Sequence, residues 1–140
     1  MEALAGLVAF GAGWLLAQVL KLLGAVMKGR GRLKLREVLR NFTRSGGMPS
    51  GHMASLGGLV TYLGLWQGFD SAVFVLGVGM IMLVAYDAAG VRHAVGEIGK
   101  EVNTLSGKKM RVREGHTLAQ VLVGAVLGVA IGGVVWLVVR

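Results

Sequence analysis

Cysteine is absent from this 140-residue chain, so neither a disulfide nor a thiolate metal site is possible. Acidic residues number only seven, and no cluster of them is suited to holding Mg²⁺. Charged residues make up 16% of the chain, where a soluble domain carries about 25%. Aromatic residues are 6%, and few interleave with the basic segments, which argues against nucleic acid as a partner. Proline occurs once, at Pro49, whereas glycine occurs 24 times. A glycine-rich, proline-poor chain that is 54% hydrophobic does not read as a disordered linker. It reads as one domain, residues 1–140, built from membrane helices packed through small residues.

The apolar runs predict an all-α membrane bundle of about four transmembrane helices with interfacial amphipathic helices. Residues 3–27 are apolar except for Gln18 and Lys21, and about 20 residues span a bilayer core. No positive segment precedes this run, so it is not a typical signal peptide. Residues 28–44 hold seven basic side chains and one acid, interleaved with Leu33, Leu35, Val38, Leu39 and Phe42, which predicts a helix lying on an anionic membrane surface. Residues 50–67 and 71–86 are two further spans, short ones, joined by a tight turn at Gln67-Gly68-Phe69-Asp70. Val91, Val95, Ile98, Val102 and Leu105 then recur at helical spacing, an amphipathic helix that either continues the third span or lies on the surface. Residues 117–139 are the fourth span, where Gly124, Gly128 and Gly132 form a stripe able to serve the bundle or a homo-oligomer.

Charge orients the bundle. The net charge is +8, and 13 of the 15 lysines and arginines fall in residues 28–44 and 92–113. Four spans place these two segments on one side, which the positive-inside rule makes cytoplasmic, with both termini outside.

On that side the sequence gathers its chemistry. Ser45-Gly46-Gly47-Met48-Pro49-Ser50-Gly51-His52 leads into the second span, with Ser50 at the N-cap and His52 in the first turn. His116 stands at the matching position before the fourth span. Helix N-termini favour anions, phosphate above all. Lys21, Arg44, Arg92, Lys108, Lys109, Arg111 and Arg113 add positive charge, and Asp87 is the one acid among them with no evident surface role. One imidazole can attack phosphorus while the other protonates the leaving oxygen, and cations stabilise the equatorial oxygens. The competing reading makes both histidines purely structural, with Lys21 snorkelling to the headgroups.

Pro49-Ser50-Gly51-His52 resembles the central motif of the type 2 phosphatidic acid phosphatases, whose core is similar to that of vanadium haloperoxidases. The wider pattern resembles the divergent branch of that superfamily, made of small membrane proteins. It is carried by Gly46-Gly47-Met48-Pro49-Ser50-Gly51-His52, by Tyr86-Asp87-Ala88-Ala89-Gly90-Val91-Arg92, and by Gly115-His116-Thr117 followed by Gly124-Ala125. With Gln18 and Lys21 the resemblance covers nearly the whole chain. It implies His116 as nucleophile, forming a phosphohistidine, and His52 as general acid and then general base. It implies phosphate binding by Lys21, Arg44, Arg92 and the backbone N–H groups of Ser50 and Gly51, and it implies no metal or other cofactor. Three features depart from the pattern of the superfamily or of its divergent branch. Gln120 replaces the carboxylate expected four residues after the nucleophile, Lys109 and Met110 stand in place of a Ser-Arg pair, and His93 replaces an arginine. An amide oxygen can orient the imidazole but cannot balance an imidazolium charge, so either Asp87 supplies it or His116 is a weaker nucleophile.

The resulting expectation is a membrane lipid phosphate phosphatase. Its cytoplasmic site points first to phosphatidylglycerophosphate and then to phosphatidic acid, ahead of undecaprenyl diphosphate, whose recycling pool lies on the outer face. The alternative is a non-catalytic protein of the same fold that binds anionic lipid or a partner. A transporter is disfavoured, because the spans hold few polar residues to line a path.

Overall fold

The computed structural model describes residues 2–27, 47–107, 110, 112 and 115–140. Among them the chain is helical, with no strand. The helices are α1 (Glu2–Met27), α2 (Gly51–Gln67), α3 (Ala72–Tyr86), α4 (Arg92–Ser106) and α5 (Leu118–Val139), with a single π-helical turn (Asp87–Val91) between α3 and α4. Their ends fall within a residue of those expected for the four spans. The helix expected over residues 28–44 lies outside the described residues.

This is an integral membrane bundle, and its packing shows why. Most side chains inside it are small and many outside are large, with Tyr62 and Met53 the large buried exceptions. The buried residues of α1 include Ala5, Ala9, Gly13 and Ala17, one every four residues. Those of α5 are Val121, Gly124, Gly128 and Gly132. Both stripes press on α2, whose buried residues are also mostly small. A Cβ at Gly128 would fall 2.7 Å from the Ala54 carbonyl oxygen and 2.9 Å from Gly57 Cα. The α5 stripe therefore serves the bundle itself, one of the two uses its spacing allowed. Leu4, Leu7, Leu15, Val126 and Leu137 point outward, each more than half exposed. Lipid tails are as apolar as leucine, so burial of large side chains drives little, and close backbone packing takes over.

Three helical segments, Glu2–Met27, Ala72–Ser106 and Leu118–Val139, are long and apolar enough to cross a membrane. The 17 residues of α2 sit between α1 and α5. In α3 only Gly77 is buried, against Val60. Of the two placements open for the amphipathic helix, the structure takes the first. A continuous 35-residue helical run carries α3 through the π turn into α4, so the third span is not short. The apolar face of α4 stays open, with Ile98 and Leu105 well exposed. Its other contacts are to the following loop, where Asn103 pairs with both backbone groups of Met110 at 2.9 Å.

At one end of this bundle meet the last turns of α1 and α3, the first turn of α2 and the residues preceding α5. Every described candidate residue lies there.

Candidate active site

Two approaches of the backbone build the site. The segment before α5 docks on the π turn, where the His116 N–H donates to the Ala88 carbonyl at 2.9 Å. Only glycine permits this approach, because a Cβ at Gly115 would lie 2.6 Å from the Arg92 carbonyl carbon and 2.8 Å from the Ala88 oxygen. The start of α2 docks on α5, where the Ser50 N–H donates to the Gln120 carbonyl at 3.1 Å. Gly124 allows that contact, since its Cβ would fall 2.6 Å from the Ser50 oxygen. The π turn adds a residue to the helical run just where Asp87, Ala88 and Arg92 are needed, a common use of such bulges.

His52, His116, Asp87 and Arg92 line one cavity of about 80 Å³, together with Val84, Ala88 and Gly115. His116 is buried at 5% exposure, and His52 is exposed. Lys21 comes from α1 and is partly buried. Its Nζ lies 4.0 Å from where a Gly51 Cβ would be, and its Cδ lies 3.9 Å from the corresponding point at Gly47. Gln18, one turn earlier on α1, is buried against Gly51, a placement that its shared face with Lys21 foreshadows. Arg44 lies outside the described residues, as do Lys108, Lys109, Arg111 and Arg113.

Two acceptors face the His116 ring, the Gln120 side chain and the Gly47 backbone. Oε1 of Gln120 lies 3.2 Å from the Thr117 backbone nitrogen and 3.2 Å from His116 Nδ1. A backbone N–H can only donate, so the amide atom facing it is the oxygen. The same oxygen faces Nδ1 and favours a proton there. Thr117 completes a capping box, its hydroxyl accepting from the Gln120 N–H at 3.4 Å. Gln120 thus caps α5 and orients His116 at once. Burial holds the His116 pKa below the ordinary histidine value, and the positive charges of Lys21 and His52 act in the same sense. Hydrogen bonds with Gln120 and the Gly47 backbone act in the opposite sense.

The structure refines two sequence expectations. First, the Asp87 carboxylate pairs with Nε of Arg92 and makes no hydrogen bond to His52 or His116, so its negative charge acts on His52 only at longer range. The helical run places the two side chains five residues apart on one turn, so Asp87 positions Arg92 and leaves the guanidinium's terminal nitrogens free. Second, the Ser50 N–H is already taken by Gln120, so it cannot also bind a phosphate. Ser50 does stand at the N-cap, but its hydroxyl makes no capping bond. That hydroxyl is fully buried and has no partner among the described residues.

The docking roles of Gly115 and the Ala88 carbonyl escape the sequence reading, because they depend on where two distant segments meet. A glycine next to His116 is the one trace of them in the sequence. Among the described residues no three His, Asp or Glu side chains form a metal-ligand group.

Comparison with known proteins agrees with the pattern of motifs. The family model described as the divergent PAP2 family matches residues 4–131. The chain is 38% identical over 63 residues to the uncharacterized membrane protein YuiD of Bacillus subtilis (strain 168), a match covering 45% of this chain and 40% of that protein. No solved structure gives a significant match. The matched region includes all three sequence blocks and reaches into α1, α2, α3 and α5, and the chain belongs to the divergent PAP2 family.

Proposed function

We propose that this protein is a metal-independent phosphatase of membrane lipid phosphates, working through a phosphohistidine on His116. The observation that carries the reading is the meeting of His116, His52 and Arg92 in one small cavity, with the Gln120 oxygen facing both Thr117 N–H and His116 Nδ1; a proton on Nδ1 leaves Nε2 as the nucleophile. An imidazole held in the wrong tautomer would present an N–H to phosphorus and could not attack.

In the first step the Nε2 lone pair attacks phosphorus and the phosphorus–oxygen bond to the lipid glycerol breaks. His52 gives its proton to the leaving alkoxide. Arg92 and Lys21 hold the equatorial oxygens, where charge accumulates. In the second step His52 takes a proton from water, the hydroxide attacks the phosphohistidine, and inorganic phosphate leaves with Nε2 regenerated. The site lies at the basic end of the bundle, which we place at the cytoplasmic surface. A terminal phosphomonoester reaching in from the inner leaflet fits that placement. Phosphatidylglycerophosphate is the first substrate in this reading and phosphatidic acid the second.

One observation favours a second reading. Gln120 is uncharged, so among the described residues no carboxylate is hydrogen-bonded to His116 to balance the imidazolium of a phosphohistidine. A protein of the same fold that binds anionic headgroups without turnover would need no such charge. Phosphate release from lipid by purified protein separates the two. A catalyst releases phosphate in the presence of EDTA and is inhibited by vanadate, whereas a binder retains lipid and releases none.

A further inference from the structure

A second cavity, of about 270 Å³, lies at the end of the bundle opposite the histidines. It is walled by Tyr62 and Trp66 from the last turns of α2 and by Trp136 from α5, with Glu2 and Arg140 also lining it. His52 and Trp66 lie 14 residues apart on α2, or about 21 Å along the helix. The cavity is therefore separate from the candidate active site and faces the other membrane surface.

Its composition is selective. The Tyr62 and Trp66 rings lie 6.2 Å apart, centroid to centroid, and form one wall. On the other wall the Arg140 guanidinium stacks 4.8 Å above the Trp136 ring. Stacking uses the face of the guanidinium and leaves its N–H groups free at the edge. Glu2 brings the opposite charge. The ion pairs among the described residues are Asp87 with Arg92 and Glu97 with Lys100, so Glu2 and Arg140 line one cavity without neutralising each other. An anionic headgroup would meet Glu2 unfavourably, and a simple cation would meet Arg140. A ligand carrying both charges satisfies both. Aromatic rings at headgroup depth are common, and beside a carboxylate they also attract an ammonium through their faces.

We propose that this cavity binds the zwitterionic headgroup of a phospholipid, its ammonium group held by Glu2 and the aromatic wall and its phosphate by Arg140. The ligand is a structural lipid of the far leaflet, and its binding is independent of turnover at the histidines.

The test is lipid retention by the full chain, purified in detergent after reconstitution in vesicles of equal phosphatidylethanolamine and phosphatidylglycerol, and read by native mass spectrometry. Glu2→Gln and Arg140→Gln each lower retained phosphatidylethanolamine by about tenfold, a loss typical of one ion or cation–π contact. Retained phosphatidylglycerol, which the basic end attracts, stays unchanged. Trp136→Phe keeps an aromatic ring and weakens retention less. Retention of both lipids unchanged in the two charge variants overturns the proposal and leaves the rings as an ordinary interfacial belt. An equal fall of both lipids overturns it as well. Since no turnover is measured, neither result bears on the phosphatase reading.

Discussion

Replacing Gln120 with glutamate probes the chemistry of His116 directly. Both contacts of the Gln120 side chain are made through Oε1, to His116 Nδ1 and to the Thr117 N–H, each at 3.2 Å. Both partners are donors, so a carboxylate keeps both bonds and the capping box with them. What changes is the charge facing the imidazole. A carboxylate at hydrogen-bond distance raises a neighbouring cation's pKa by about one to three units, and the partial exposure of Gln120 favours the lower half of that range. One to two units correspond to about 1.4–2.7 kcal/mol of added stabilisation of the positively charged imidazole. The phosphohistidine intermediate carries that charge, so Gln120→Glu accelerates its formation by about ten- to a hundredfold. The sign of the pH effect follows. His116 attacks only as the neutral imidazole, so turnover is lost as pH falls through its pKa. Burial keeps that pKa below the ordinary histidine value in the unsubstituted chain, so the expected acid limb lies in mild acid. In the variant the acid limb moves up by one to two units. The assay is a pH–rate profile of phosphate release by both proteins in detergent. An acid limb that does not move, or a folded variant that is slower at high pH, would refute the placement of His116 as nucleophile.

Other consequences follow from the geometry. Asp87→Asn removes a half-exposed ion pair with Arg92, worth about 0.2–1 kcal/mol. It should raise KM by less than about fivefold and leave kcat nearly unchanged, whereas a thousandfold loss in kcat would put Asp87 in direct contact with the reaction. Gly128→Ala places a Cβ against the α2 backbone and should cost about 1–3 kcal/mol, seen as a lower melting temperature in detergent. Gly133→Ala meets nothing within 4 Å and should leave the melting temperature unchanged. Gly115→Ala drives the segment before α5 off the π turn, and should abolish turnover while the bundle itself stays folded.

The spans were legible in the sequence to within a residue because hydropathy and length alone decide them. Ala72 and Tyr86 bound α3, where the apolar run predicts 71–86. The meeting of Lys21, His52, Asp87, Arg92 and His116 at one end was legible from topology, since an even number of spans returns each polar segment to the same side. What the sequence could not express is which donor meets which acceptor. The pairing of Asp87 with Arg92 depends on the π turn, and no hydropathy pattern distinguishes that turn from regular helix. The loss of the Ser50 N–H to Gln120 depends on how deeply α5 docks against α2, which Gly124 sets. The second cavity escaped for the same reason. Glu2, Tyr62, Trp136 and Arg140 are far apart in the chain, and each alone reads as an ordinary interfacial residue.

Phosphate release tests the central claim most directly. The purified chain is offered phosphatidylglycerophosphate, phosphatidic acid and undecaprenyl diphosphate side by side with EDTA present, alongside His116→Ala and His52→Ala. The account predicts release from the phosphomonoester lipids, fastest from phosphatidylglycerophosphate, and its loss in both variants. Folded protein that binds these lipids and releases no phosphate, or release that survives in His116→Ala, would contradict it.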